Sequence, residues 1–158
     1  MNTGNVGWPR VFFASHDARA FAKRFLPRDQ RFKLLGIGLP AGVVEQFLAE
    51  QAPGPSMGVP GVYKAVSNRV SLESGGGVLG WEVLCYDHGG FHSWLCNGLE
   101  TNVAEKYGIR PNEAGFITSA PEASVAAEYC GRQDVGAEPG FWAPWLVVEY
   151  ALFPEMAT

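Results

Sequence analysis

The apolar positions change period several times along the chain, and each change predicts an element. Ala18, Phe21, Ala22 and Phe25 recur at i, i+3, i+4 and i+7, the spacing of one helix face. Ser15 stands where a helix cap belongs, with Asp17 in the first turn, Lys23 and Arg24 in the last, and Pro27 as a stop. Residues 10–14, Arg-Val-Phe-Phe-Ala, read as a short strand before that helix. The apolar run 32–39 reads as a buried strand whose Gly36 and Gly38 admit a close neighbour. Pro40 opens a second helix with Val43, Val44, Phe47 and Leu48 on its buried stripe, and the Pro- and Gly-rich stretch 52–61 ends it.

Further along, 62–66 (Val-Tyr-Lys-Ala-Val) reads as a strand, 73–77 as a turn and 79–87 as a longer strand. Asn97 with Glu100 three residues later is a capping-box pattern, predicting a helix that carries Leu99, Val103, Ala104 and Tyr107 and stops at Gly108. Residues 115–118 suggest a short strand. Ser119, Pro121 and Glu122 start another helix through Ala126, Ala127 and Tyr129 to Gly131. A long loop then leads to a strand at 145–152, bounded by Pro144 and Pro154.

The segment 81–100 gathers two of the three cysteines and two of the three histidines. As one helix it would align Cys85, His88, His92 and Cys96 as a zinc-like set, or leave His92, Cys96 and Glu82 for a hydrolase or transferase. Gly89 and Gly90 argue against that, since two glycines inside a helix cost about 2 kcal/mol relative to alanine. Between aromatic and β-branched runs they signal a hairpin. With 88–90 as the loop, Asp87 pairs with Phe91 and Tyr86 with His92. One face then carries Trp81, Val83, Cys85, Phe91, Ser93 and Leu95 toward the core. The other carries Glu82, Leu84, Tyr86, His92, Trp94 and Cys96. Cys85 and Cys96 point apart, so neither a metal nor a catalytic role is assigned to the set. In the last strand, Leu146, Val148, Tyr150 and Leu152 face inward and Trp145, Val147, Glu149 and Ala151 outward. The expected partner-binding residues are therefore Glu82, Tyr86, His92, Trp94, Trp145 and Glu149, with Trp142 as an anchor from the loop before Pro144, because aromatics with a few fixed charges make interface hot spots. The competing expectation is that the chain's own helices cover both faces, leaving these residues as core.

These elements describe one α+β domain over 1–158 with loose ends at 1–8 and 154–158. Its sheet is twisted and mostly antiparallel around a central hairpin, with about four helices mainly on one face. A chain of 158 residues buries enough surface to fold without a metal, cofactor or disulfide. The formal charge of −4 disfavours nucleic acid and favours a basic partner. Three cysteines without a CxxC pair point to reduced thiols in the cytoplasm, and no apolar run is long enough to span a bilayer. Ser15-His16-Asp17 holds the three residue types of a hydrolase triad, but sequence neighbours cannot form its line of hydrogen bonds. No P-loop, HExxH, GxSxG or Rossmann glycine pattern occurs.

In layout, with the hairpin at 80–96, the helix that follows and the late Pro144-Trp-Leu-Val-Val-Glu-Tyr strand, the chain resembles immunity proteins of bacterial polymorphic and contact-delivered toxin systems. The resemblance implies a stoichiometric inhibitor, a monomer or weak homodimer, that occludes the active site of a cognate toxin domain. The rival expectations are the enzyme or zinc protein above, and a small-molecule-binding or self-associating structural protein.

Overall fold

The computed structural model describes residues 11–27, 29, 31–55, 58, 60–87 and 89–152, so the ends assigned to 1–8 and 154–158 lie outside the described residues. Five helices and four strands follow one another as α1 (Ser15–Phe25), β1 (Leu34–Gly38), α2 (Ala41–Glu50), α3 (Gly61–Ser67), β2 (Gly77–Asp87), β3 (Gly90–Ser93), α4 (Leu99–Tyr107), α5 (Ala120–Cys130) and β4 (Phe141–Tyr150). All strand pairs are antiparallel, in the order β1-β4-β2-β3. The α+β layout and antiparallel sheet are those the apolar pattern predicts. No helix among the described residues is long and apolar enough to cross a membrane.

The sheet has a core on each side. On one, Val83, Trp94, Leu99, Val103, Ile109 and Ile117 pack with Ala123, Ala126, Ala127 and Cys130 of α5. On the other, Phe47 of α2 sits among Tyr86, Phe141, Ala143 and Trp145, with Val62, Tyr63 and Val66 of α3 behind it. The helices are thus shared between the faces. Ring geometry fixes the second core: Phe47 meets Phe141 and Trp145 edge-on at 5.3 and 6.2 Å.

Several local expectations change. Residues 11–14 form no strand, and Arg10 lies outside the described residues. Ala14, extended at φ −143°, is the residue before the first turn of α1, while Ser15 is inside the helix and donates its hydroxyl proton to Glu73. Residues 62–66 are helical, not a strand. Val62, Tyr63 and Val66 share a helical face against Phe47, and this burial overrides their β propensity. Strand 32–39 shortens to β1, whose glycines do admit close neighbours: a Cβ at Gly36 would lie 2.8 Å from the Tyr150 ring and 2.9 Å from Leu72. The capping box at Asn97 does not form. Gly98, in the left-handed region at φ 68°, precedes α4, and the Asn97 side chain instead donates to the Ser93 carbonyl. Residues 115–118 contribute only a bridge, between Ile117 and Trp81.

β4 begins at Phe141 rather than after Pro144, which sits inside it. The ladder with β1 stops at Leu146, so at Pro144 the strand is paired with β2 alone, the setting in which a strand tolerates proline. A bulge between Val78 and Gly80 turns β2 toward the bridge strand. There Trp81 and Ile117 exchange backbone hydrogen bonds of 2.8 and 2.9 Å.

Candidate functional site

The hairpin at 88–90 exists, but its register is one residue tighter than expected. Asp87 pairs with Gly90, Tyr86 with Phe91, Cys85 with His92 and Leu84 with Ser93, so the connection between the strands is two residues long, with Gly89 at φ 97°. Such loops match the right-handed twist of the strands, and the longer loop does not gain that match. A one-residue slip exchanges the faces of the whole second strand. Phe91 and Ser93 therefore join Leu84 and Tyr86, whereas His92 lies beside Cys85.

β3 also stops at Ser93, so Trp94 leaves the strand and drops into the α4–α5 core with no exposed surface. Tyr86 and Trp145 are buried under α2 and α3, at 1% and 3% exposure. Val147, expected outward, is buried as well. The open aromatic platform is therefore corrected: the chain covers it with α2 and α3. A period-two pattern reports which residues share a face, and it is silent on what lies over that face.

The remaining candidates separate. Glu82 stays on the Trp145 side, directly across the ladder from it, and accepts a 2.7 Å hydrogen bond from Ser93. Burial pushes its carboxyl up to about 7, opposed by the Ser93 bond. Glu149, partly exposed, holds Lys33 at 3.0 Å near the end of the sheet. On the other face, His92 Nδ1 lies 3.6 Å from Glu138, and the Trp142 indole donates to the Glu138 carbonyl at 2.9 Å. His92, Cys85 and Trp142 thus form one row across three strands.

That row is the closest approach to a nucleophile setting, and Cys85 is unsuited to it. Burial, then the Asp87 and Glu138 carboxylates, push its thiol up to about 12, so the nucleophilic thiolate is essentially absent at neutral pH. Cys130 is raised to about 12 for the same first reason. Cys96 is exposed and lies beyond the strand. His88 is outside the described residues, and among those described no three His, Cys, Asp or Glu side chains converge as a metal site. Ser15 and Asp17 form no triad with His16: Ser15 bonds Glu73, and His16 lies 3.2 Å from Asp17 on an exposed helix end.

Two features escaped the sequence reading. The first is a cleft of about 1080 Å³ between α1, β1, α3 and the sheet, lined mainly by apolar side chains. The second is a set of exposed apolar residues, Phe13, Phe25, Phe32, Leu35, Val70 and Val78, from 36% to 66% exposed, of which Phe13, Phe32, Leu35 and Val70 line that cleft. The pairings put Leu35 and Val78 on opposite faces of the sheet. Leu35 is across from Glu149, Val78 pairs with Val148, which pairs with Gly36, and Leu72 packs on Gly36 two residues after Val70. Arg19 ties α1 to the same end through Glu73 and the Ala151 carbonyl. β1 ends the sheet, and among the described residues no further strand pairs with it. Only the exposure of Phe32 and Leu35 beside two glycines could have signalled this region.

Comparison with protein families, with characterised proteins and with solved structures finds no match to this chain.

Proposed function

We propose that the protein works by capturing another protein at the β1 end of its sheet, as a stoichiometric inhibitor of the immunity type acting on a cognate toxin domain. The observation that carries this reading is the exposure of Phe32 and Leu35 at a sheet-end strand, with the exposed Phe13 and Val70 lining the same cleft. Exposed apolar patches of this kind are characteristic of docking surfaces, and a strand at the edge of a sheet offers main-chain groups to an incoming chain. The overall charge of −4 speeds encounter with a basic partner. The capture surface is then carried by β1 and α1, with Glu149 retained from the sequence-predicted set, while Tyr86, Trp94 and Trp145 hold the scaffold.

The test is co-expression with the protein encoded by the adjacent gene. The expected result is relief of that protein's toxicity and a 1:1 complex by solution mass measurement. Phe32→Glu and Leu35→Glu are expected to abolish both while leaving the circular dichroism spectrum unchanged. A neighbour that is not toxic and forms no complex, or capture that survives both substitutions, overturns the reading.

A further inference from the structure

β1 ends the four-stranded sheet, and among the described residues its main chain bonds only to β4. Along an antiparallel strand the main-chain groups of successive residues point to alternate sides. Every second N–H and C=O from Leu34 to Gly38 is therefore turned away from β4. The space on that side is the large cleft. Every residue from Phe32 to Pro40 lines it, and so do residues of both sheet faces, Trp145 beside Ile37 on one, Leu146 and Tyr150 beside Gly36 on the other. The β1–β4 ladder closes the sheet between those faces, so a space that meets both runs around the free side of β1. Helix α1 forms the far wall. The Phe13 ring before it packs on Gly61 at the start of α3, on the Ile37 side, while Ser15 and Arg19 hold Glu73, which follows Leu72 on the Gly36 side. A strand edge facing a helix across a groove is an arrangement that takes an extended peptide as an added strand.

The lining also defines the strand that fits. β1 itself carries none of the charged residues, prolines or bulges that blunt a sheet edge. A small molecule covers apolar walls but not a row of main-chain donors and acceptors, whereas an extended chain does both. The cleft, near 1080 Å³, also exceeds the roughly 300–1,000 Å³ of small-molecule sites. Side chains on either side of an added strand meet apolar groups, Ile37 and Trp145 on one face, Leu72 and Tyr150 on the other. The charged lining residues Lys33, Arg69 and Glu73 are engaged by Glu149, Glu45 and Arg19. Strands covered on both faces are continuously apolar rather than alternating. We propose that the cleft binds an extended peptide segment of consecutive apolar, β-branched residues, matching the five residues of β1 and pairing with them as a further strand between β1 and α1. The proposal rests on the protein-capture reading for the source of that segment, and specifies that the captured protein inserts a strand rather than laying a folded surface on the rim.

The probe is an acetylated and amidated peptide, Val-Ile-Val-Ile-Val between pairs of lysines, labelled with fluorescein and titrated with the full chain by fluorescence anisotropy. Saturable binding at one site is expected. A peptide of the same length and charge, with serine replacing both isoleucines, is expected to bind roughly 10-fold or more weakly, because two apolar side chains no longer enter the cleft. Residue-resolved amide exchange by nuclear magnetic resonance reads the pairing itself: the alternate β1 amides turned away from β4 are expected to exchange fast in the free chain and slowly in the bound one. Leu35→Lys, at a residue 44% exposed, puts on the edge the kind of charge that blunts strand addition, and is expected to weaken binding about 10-fold with an unchanged circular dichroism spectrum. Absence of saturable binding, equal binding of the serine peptide, fast exchange of those β1 amides in the bound chain, or full affinity in folded Leu35→Lys each overturns the proposal. Should Leu35→Lys fail to fold, the peptide comparison and the amide exchange of the unmodified chain decide it. A complex with the product of the adjacent gene that forms although the peptide does not bind overturns this proposal and leaves the capture reading standing. A peptide that binds a chain whose neighbour forms no complex overturns the capture reading alone.

Discussion

Glu82 shows how one residue carries consequences that neither composition nor periodicity suggests. Its carboxyl titrates near 7, against an ordinary 4.5, because burial penalises the charged form. The folded chain therefore binds this proton more tightly than the unfolded chain does. The stabilisation is complete below about 4.5 and is lost as pH rises through 7. At pH 8 the buried carboxylate costs on the order of 3 kcal/mol. Glu82→Gln, which keeps an acceptor for Ser93, is expected to leave stability at pH 4.5 unchanged and raise it at pH 8, as measured by urea unfolding at both values. A parallel pH dependence in the variant would remove Glu82 as the cause. Gly80 is constrained by backbone rather than charge: its φ of 141° is one that side chains rarely adopt, and a Cβ there would lie 2.6 Å from the Ile117 carbonyl oxygen. Gly80→Ala is expected to cost about 1–3 kcal/mol in the same denaturation assay, with near-ultraviolet circular dichroism reporting the displaced Trp81.

At the scale of elements, two N-cap patterns occur and only the one at Ser119 caps its helix. At Ser119 the hydroxyl accepts from the Glu122 backbone N–H and donates to the Glu122 carboxylate, whereas Asn97 turns back to Ser93. Ser119→Ala is therefore expected to destabilise the protein by about 1 kcal/mol, and Glu100→Ala to cost nothing as a cap, a contrast that paired thermal melts would read. The difference was not legible in the residues, because Asn97 competes for a carbonyl freed where β3 ends. Helices α1, α2, α4 and α5 were legible, since Pro40 at a start and Gly108 and Gly131 at stops act locally. α3 was not: Val-Tyr-Lys-Ala-Val has strand composition, and its helix is selected by contact with Phe47 from another part of the chain. The hairpin was legible from Gly89 and Gly90, yet its register was not, because either loop length satisfies a two-glycine signal and only the ladder distinguishes them. Of the candidate site, Glu149 kept its expected partial exposure, while the aromatics moved inward for want of any local sign that α2 and α3 would lie over them.

The molecule as a whole divides into a tightly packed half and a looser one, with the sheet between. On the α4–α5 side, α5 buries Ala123, Ala126, Ala127 and Cys130 against Val83, Trp94 and Ile117, small helical residues that let the helix approach the strands closely. At the β1 end, α1 buries only Ala18 and Ala22, α3 has no fully buried residue, and the cleft lies between them. Local opening costs least where few apolar contacts are lost. Amides of α1 and α3 are accordingly expected to exchange with deuterium through local opening, well before those of α5 and β4, which should exchange only on global unfolding. A partner confined to the outer rim should protect β1 and α1 but leave α3 unchanged. Exchange mass spectrometry on the free chain and with the partner reads both expectations, and α1 amides as slow as those of β4 in the free chain would refute the division into a firm and a yielding half.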